Sequence, residues 1–274
     1  MNLINSSVEF IPQEKGIDGI YKQIETAGRI CYKSEPNASA TTSKEFVDKL
    51  IKSGHLSVLE HGTVYLAHRT RWIGDSLTND FEENPYSKTK YVNLNEDGYK
   101  EGEFCITTNY RVLVENGWLY YLEEICEPTP NHEKRYTFKI TSSIGIVREL
   151  LRHRVFSFSN ESTRYCNYAK DRFNNEITFI KPYWFDDADT TSQTLFKNSL
   201  QQAENTYMEF INKGITPQQA REVLPLCTKS ELIMTGFESD WEQFLKLRLD
   251  GVAGTPHPDM KVIAAVIKEE LNKR

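Results

Sequence analysis

From Ile17 onward, Ile20, Tyr21, Ile24 and Ala27 recur at helical spacing, which predicts a helix ending near Cys31. Thr42-Ser43-Lys44-Glu45 reads as a capping box for a second helix, with Phe46, Val47, Leu50 and Ile51 on one face and Gly54 as its stop. After HLSVLEH, residues 63–67 read as a strand entered from a turn. Residues 70–133 mix Asn, Asp, Glu, Gly and Pro with short apolar runs at 104–107 and 111–114. A structureless loop of that length does not suit a compact domain, so an inserted excursion is expected, with some strand and one short helix around 118–125. Residues 135–140 alternate like a half-buried strand. A helix from about Ser142 follows, with Ile144, Val147 and Leu151 along one stripe, delivering Arg148, Glu149, Arg152 and His153 near its end. Further on, 176–180 reads as a strand stopped by Lys181-Pro182, and 191–213 as a long helix ended by Gly214. Thr216-Pro217-Gln218-Gln219 opens the next helix, with proline at its first position. Residues 232–235 suggest a strand, and Ser239-Asp240-Trp241-Glu242 a third capping box, for a helix closing on Leu247-Arg248-Leu249. The last helix starts near Pro258. The pattern is helix-rich α+β with a small, mostly antiparallel sheet: one large domain over residues 1–274 with an excursion at about 70–133.

Composition changes this picture little. A hydrophobic content of 39% and a charged content of 26% are ordinary for a soluble globular chain of 274 residues. The net charge of −6 argues against general attraction to nucleic acid or anionic membrane, so any anion site must be local. Five scattered cysteines without a CxxC pair read as reduced thiols of a cytoplasmic protein. The opening MNLINSSVEF lacks a signal-peptide pattern and no apolar run approaches membrane-spanning length, so no membrane association is expected.

One stretch stands apart: RHRVFSFSNESTRYCNY, Arg152 to Tyr168. It surrounds Arg152, His153, Arg154 and Arg164 with hydroxyl and amide side chains. Arginine offers a fork of donors suited to phosphate or carboxylate, each charge-assisted bond contributing about 1.5–3 kcal/mol. Two readings are open: an anion pocket, or a solvated basic helix end pairing with Glu149, Glu161 and Asp171. Arg221, before VLPL, and Arg248, between two leucines, are either further pocket cations or snorkelling side chains. His55 and His61 bracket Glu60 without HExxH spacing, and no metal site is expected. GxSxG, P-loop and GxGxxG patterns are absent.

The run RHR, seven residues, then Ser162-Thr163-Arg164-Tyr165 resembles the signature of flavin-dependent thymidylate synthases. HLSVLEH, GITPQQAREVLPL and FLKLRLD are similar to that family's flanking segments, in the same order. The resemblance implies a homotetramer with active sites at subunit interfaces. It further implies conversion of dUMP to dTMP with methylenetetrahydrofolate as carbon donor and NADPH reducing a bound FAD. Carried over, Arg152 touches both ligands, and His153, Arg154 and Ser57 hold FAD. Glu149, Asn160, Glu161, Ser162, Thr163 and Arg164 belong to the dUMP site, Asn160 also nearing flavin; Arg221 reaches dUMP from another subunit. Arg248 sits at the uracil edge as the catalytic group, favouring the anionic ring. Ser162, lacking an evident base, is assigned binding rather than nucleophilic attack, and Cys166 is not marked as a nucleophile.

The chain departs from the pattern at several points. Many members have Gln at Glu149, whose carboxylate beside a dianionic substrate needs Arg148 or Arg152 as partner or must turn away. Phe237-Glu238-Ser239 stands where others place an FAD-contacting Asn-x-Arg, and Gln243 where Asn is common, so Phe237, Ser239 and Gln243 are the corresponding FAD positions here. The excursion carries Tyr86, Tyr91, Tyr110, Trp118, Tyr120 and Tyr121, suited to covering a site, altering folate or nicotinamide access, or enlarging the subunit. Set against the enzyme are a nucleotide- or RNA-binding protein that kept the anion pocket without redox chemistry, and a phosphate-ester hydrolase using His153. The hydrolase lacks a metal cluster or nucleophile.

Overall fold

The computed structural model describes residues 1–32, 43–70, 76–94, 102–164, 166–170 and 174–274. Thr42, Tyr165 and Asp171, named above as a cap, a motif residue and an arginine partner, lie outside the described residues.

A four-stranded antiparallel sheet forms the centre, in the order β2 (Ser7–Phe10), β6 (Arg135–Ser143), β9 (Lys229–Phe237), β7 (Ser157–Asn160). Period-two alternation sends Phe138, Ile140, Leu232 and Met234 to one face. There they meet α5 (Ile144–Leu150), α8 (Glu238–Leu245) and α9 (Pro258–Leu271) through Val147, Trp241, Phe244 and Ile263. Ile233, one step out of phase, packs on the opposite face against Ala27 and Ile30 of α1 (Gly16–Tyr32). Gly236 is required near the end of β9, because a Cβ there would sit 2.3 Å from the Phe156 ring.

The segment expected to be an excursion adds strands to the one expected at 63–67, making a second antiparallel sheet in the order β3 (Thr63–Thr70), β5 (Gly102–Asn109), β4 (Lys88–Asn93). β5 pairs with β3 along its whole length, from Thr63↔Asn109 to Thr70↔Gly102. Its helices are α3 (Ser76–Glu82) and α4 (Tyr110–Asn116), so the apolar run at 111–114 is helical. Asn109 caps α4 by accepting from the Val112 amide at 3.2 Å. The short helix expected at 118–125 is a 3₁₀ segment, Leu119–Glu124. Phe81, Phe104, Ile106, Leu113 and Tyr121 share one core with Ile20 and Ile24 of α1 and Val47 and Leu50 of α2 (Ser43–Ser53). Each such fully buried side chain contributes about 1.5–3 kcal/mol. Of the excursion's aromatics, Tyr110 and Tyr121 are buried, while Tyr86 and Tyr120 are exposed.

Beyond the motif, β8 (Thr178–Ile180) lies parallel to β1 (Asn2–Ile4), so the sheets are not confined to one. α6 (Thr190–Asn212) covers this pair with Leu200 and Tyr207, and the Met1 amino group meets Glu204 at 3.0 Å. The Thr216 box forms as expected, but its α-helix α7 (Pro217–Ala220) passes at once into a 3₁₀ turn carrying Arg221. Ser239 does not cap α8. β9 runs on to Phe237, α8 starts at Glu238, and the Phe237 amide donates to Asp240 Oδ2 at 3.2 Å, while the Ser239 hydroxyl goes to Glu133. Among the described residues no helix is long and apolar enough to cross a membrane.

Candidate active site

α5 ends at Leu150, and Arg152, His153 and Arg154 fall in the turn that leads into β7. α8 passes directly into a π-helical turn, Lys246–Asp250, closed by Gly251 at φ 74°. That turn carries Arg248 to the end of α5. Its Nε donates to His153 Nε2 at 2.8 Å, Nη1 to Glu149 Oε2 at 3.1 Å and Nη2 to the Glu149 carbonyl at 3.4 Å. Three of the five N–H donors are engaged, leaving one on each Nη. Burial, with the charges of Arg248 and Arg152, lowers the His153 pKa to about 4, so the ring is neutral. Because Nε2 accepts, its proton is assigned to Nδ1. Glu149 therefore has a partner other than the two arginines expected: Arg248 rather than Arg148 or Arg152.

A second group lies at the far end of β7. Asn160 Oδ1 accepts from Ser230 Oγ at 2.9 Å, Arg221 Nη1 donates to Thr163 Oγ1 at 3.2 Å and Arg164 Nε to Gln218 Oε1 at 3.1 Å. Arg221, expected to serve another subunit's site, meets Thr163 of its own chain. The Ser162 hydroxyl accepts the Arg164 amide at 3.3 Å, and no histidine or carboxylate among the described residues bonds to it. Glu161 points inward: its side chain is fully buried, and Oε2 meets Lys229 Nζ at 3.0 Å and the Glu231 amide at 3.1 Å. Lys229 also reaches Glu231 at 2.8 Å, and Lys139 meets Glu231 at 3.0 Å. Burial opposes the Lys229 charge, yet the two carboxylates hold its pKa above the ordinary value. Glu161 is thereby an anchor of the Asn160–Arg164 segment, with its carboxylate turned inward and its amide bonded to the Glu231 carbonyl at 2.8 Å.

The third group lines a cavity of about 520 Å³ beside Arg154. Arg135 and Lys88 lie over the Phe237 ring, 5.3 and 5.6 Å from its centroid, and Phe156 and Val155 add apolar wall. Burial lowers the Arg135 pKa to about 10, and its buried Nε has no partner among the described residues. Its Nη1 donates to the Glu60 carbonyl at 3.1 Å and Thr63 Oγ1 at 3.3 Å. Glu60, Glu115 and Asp240 are the acids of the same lining. Ser57 is exposed and lines a neighbouring cavity, also about 520 Å³, with His55, Cys31 and Gly28. Ser239 and Gln243 line neither cavity; both are exposed, and the Ser239 hydroxyl goes to Glu133. Arg152 is exposed. Cys166 is buried. Among the described residues no group of three or more His, Cys, Asp or Glu side chains is placed to hold a metal ion.

Sequence reasoning missed Arg135, Lys88, Arg111 and Lys229. Arg135 carried a local signal, a cation heading an alternating strand, and Arg111 another, the i,i+4 spacing to Glu115; Lys88 and Lys229 acquire their neighbours through sheet pairing.

A family model described as thymidylate synthase complementing protein matches residues 17–71 and 97–274. The flavin-dependent thymidylate synthase of Synechocystis sp. is 29% identical over 138 residues, covering 48% of this chain and 64% of that protein. That of Thermosipho africanus is 27% identical over 144 residues, covering 49% and 63%. The matches thus span less than two thirds of these relatives' lengths. Among solved structures, the UMP/dUMP methylase PolB from Streptomyces cacaoi bound with 5-Br dUMP aligns with a TM-score of 0.46 at 18% identity, over 100% of this chain and 93% of that one. With the family model running through the RHR motif, the Arg221 helix and the Arg248 turn, the chain belongs to the Thy1 family of thymidylate synthase complementing proteins.

Proposed function

We infer that the protein is a flavin-dependent thymidylate synthase, reductively methylating dUMP to dTMP with methylenetetrahydrofolate as carbon donor and NADPH-reduced FAD. The observation that carries this reading is the junction of Arg248 with His153 and Glu149, which joins two motifs of a family match to a preorganised cation. The relatives' shared name, flavin-dependent thymidylate synthase, supports the cofactor.

The residues around Arg154 fit a flavin dinucleotide. Arg154, Arg135 and Lys88 offer positive charge to phosphates, Arg135 has an unengaged buried donor, and Phe156 and Phe237 offer apolar surface to a ring system. When bound, the flavin supplies the two reducing electrons and the hydride the methylation requires. Arg248 directs its two unengaged N–H donors to the uracil edge, where fixed charge stabilises the anionic ring without reorganisation. Glu149 and neutral His153 hold the guanidinium in place. Asn160, Ser162, Thr163, Arg164 and Arg221 bind the nucleotide and its phosphate, and the Lys229–Glu161 pair steadies the segment that presents them. In the homotetramer that the family resemblance implies, Leu151 and Val155, 38% and 67% exposed beside the motif, are apolar surface for a subunit interface to cover.

The visible spectrum of the purified protein, before and after anaerobic NADPH and then with dUMP, tests the reading. A flavin band that bleaches with NADPH is expected. A colourless protein that takes up no added FAD refutes it and favours a nucleotide-binding protein in which Phe237 has displaced the cofactor contact.

A further inference from the structure

Arg111 and Glu115, both on α4, line the cavity that holds Arg154 and also the cavity that holds Ser57. The ion pair they form stands in the lining of both spaces, each of about 520 Å³. Arg111 Nη1 meets Glu60 Oε1 at 2.6 Å and Nη2 meets Glu115 Oε1 at 2.7 Å, while its buried Nε has no partner among the described residues. Hydrogen bonds to Glu115 and Glu60 raise the Arg111 pKa, so the guanidinium stays charged throughout. The pair with Glu115 is an i,i+4 contact with side chains 35% and 41% exposed, among the weakest ion pairs a protein makes. A strong phosphate ligand is thus held off by a weak partner.

We propose that Arg111 is a clasp for the diphosphate of an extended dinucleotide that lies across both cavities, exchanging Glu115 for phosphate oxygens when the ligand binds. Two such cavities in series suit two ring systems joined by a charged linker and exceed what a mononucleotide fills. The planar fork gives two parallel bonds to phosphate, and Glu60 keeps the guanidinium positioned during the exchange. The clasp comes from α4, inside the segment expected to be an excursion, so that segment completes the cofactor site rather than only enlarging the subunit.

This inference rests on the flavin reading, with FAD as the dinucleotide. The test titrates the full-length protein, stripped of flavin, with FAD and with riboflavin, following flavin fluorescence. Arg111→Ala is expected to weaken FAD by about tenfold or more, the loss of one charge-assisted contact, and to leave riboflavin unchanged. Glu115→Gln, which frees the clasp and leaves the core intact, is expected to tighten FAD by about twofold. Equal loss of both ligands in Arg111→Ala, or an FAD affinity equal to wild type, overturns the clasp alone. If Arg111→Ala does not fold, an unchanged or weaker FAD affinity in Glu115→Gln overturns it. A wild-type protein that binds no FAD removes the flavin reading and the clasp together.

Discussion

Lys229→Met is the perturbation whose magnitude follows most directly from the structure. Lys229 Nζ lies 3.0 Å from Glu161 and 2.8 Å from Glu231, and the Glu161 side chain is 0% exposed. Lys139 still meets Glu231 at 3.0 Å after the substitution, so the larger loss falls on the fully buried Glu161. Its carboxylate keeps the Glu231 amide but remains charged in a desolvated position. Removing one partner of a buried pair costs about 3–5 kcal/mol; with Lys229 itself 15% exposed, the lower end, about 3 kcal/mol at pH 7.5, is expected. For a chain of this size that lowers Tm by about 6–12 °C. Glu161→Gln combined with Lys229→Met should recover most of the loss. Thermal unfolding of the three proteins at pH 7.5 provides the assay, with KM for dUMP reporting whether the Asn160–Arg164 segment has loosened. A Tm of Lys229→Met within about 2 °C of wild type, or a double variant no more stable than Lys229→Met, refutes the reasoning.

Two other perturbations follow from the same geometry. Arg248→Ala should lower dTMP formation by about 100- to 1000-fold while bound flavin stays near wild type, measured by turnover and by the flavin-to-protein absorbance ratio; undiminished turnover would remove Arg248 from the chemistry. His61 is fully buried with Nδ1 2.8 Å from Thr235 Oγ1, and burial lowers its pKa from 6.5 to about 3. The fold holds the neutral ring, so this stability is whole above pH 6.5 and lost as pH falls toward 3, by at most about 5 kcal/mol. Denaturant melts from pH 7 to 4 should show that slope, and His61→Gln, which cannot titrate, should flatten it.

Much of the site's chemistry was legible before any coordinates. The RHR cluster, Arg221 and Arg248 mark a candidate anion site because a guanidinium keeps its charge wherever it is placed. Less legible was which cation meets which anion. Glu149 looked like a partner for its neighbours Arg148 and Arg152, and is held instead by an arginine 99 residues away. Glu161 looked like a ligand residue because it sits in the motif, but strand pairing with Glu231 turns its carboxylate toward Lys229. Phe237 read as the residue standing at a cofactor position, and only the structure shows two cations over its ring.

By itself the sequence determined the long helices, the Thr216 box, the alternating strand at 135–140 and the charge of the site. These depend on spacing within a few residues, where local sterics and hydrogen bonding act directly. Tertiary structure alone decided the parallel pairing of β1 with β8, the strand in the middle of the motif, and the start of α8 at Glu238 despite a capping pattern at Ser239. It also decided the encounter of Arg248 with His153 and the shared wall at Arg111. The physical reason is that strand pairing and helix docking are settled by burial over the whole chain, and no local spacing records which distant segment supplies the other surface.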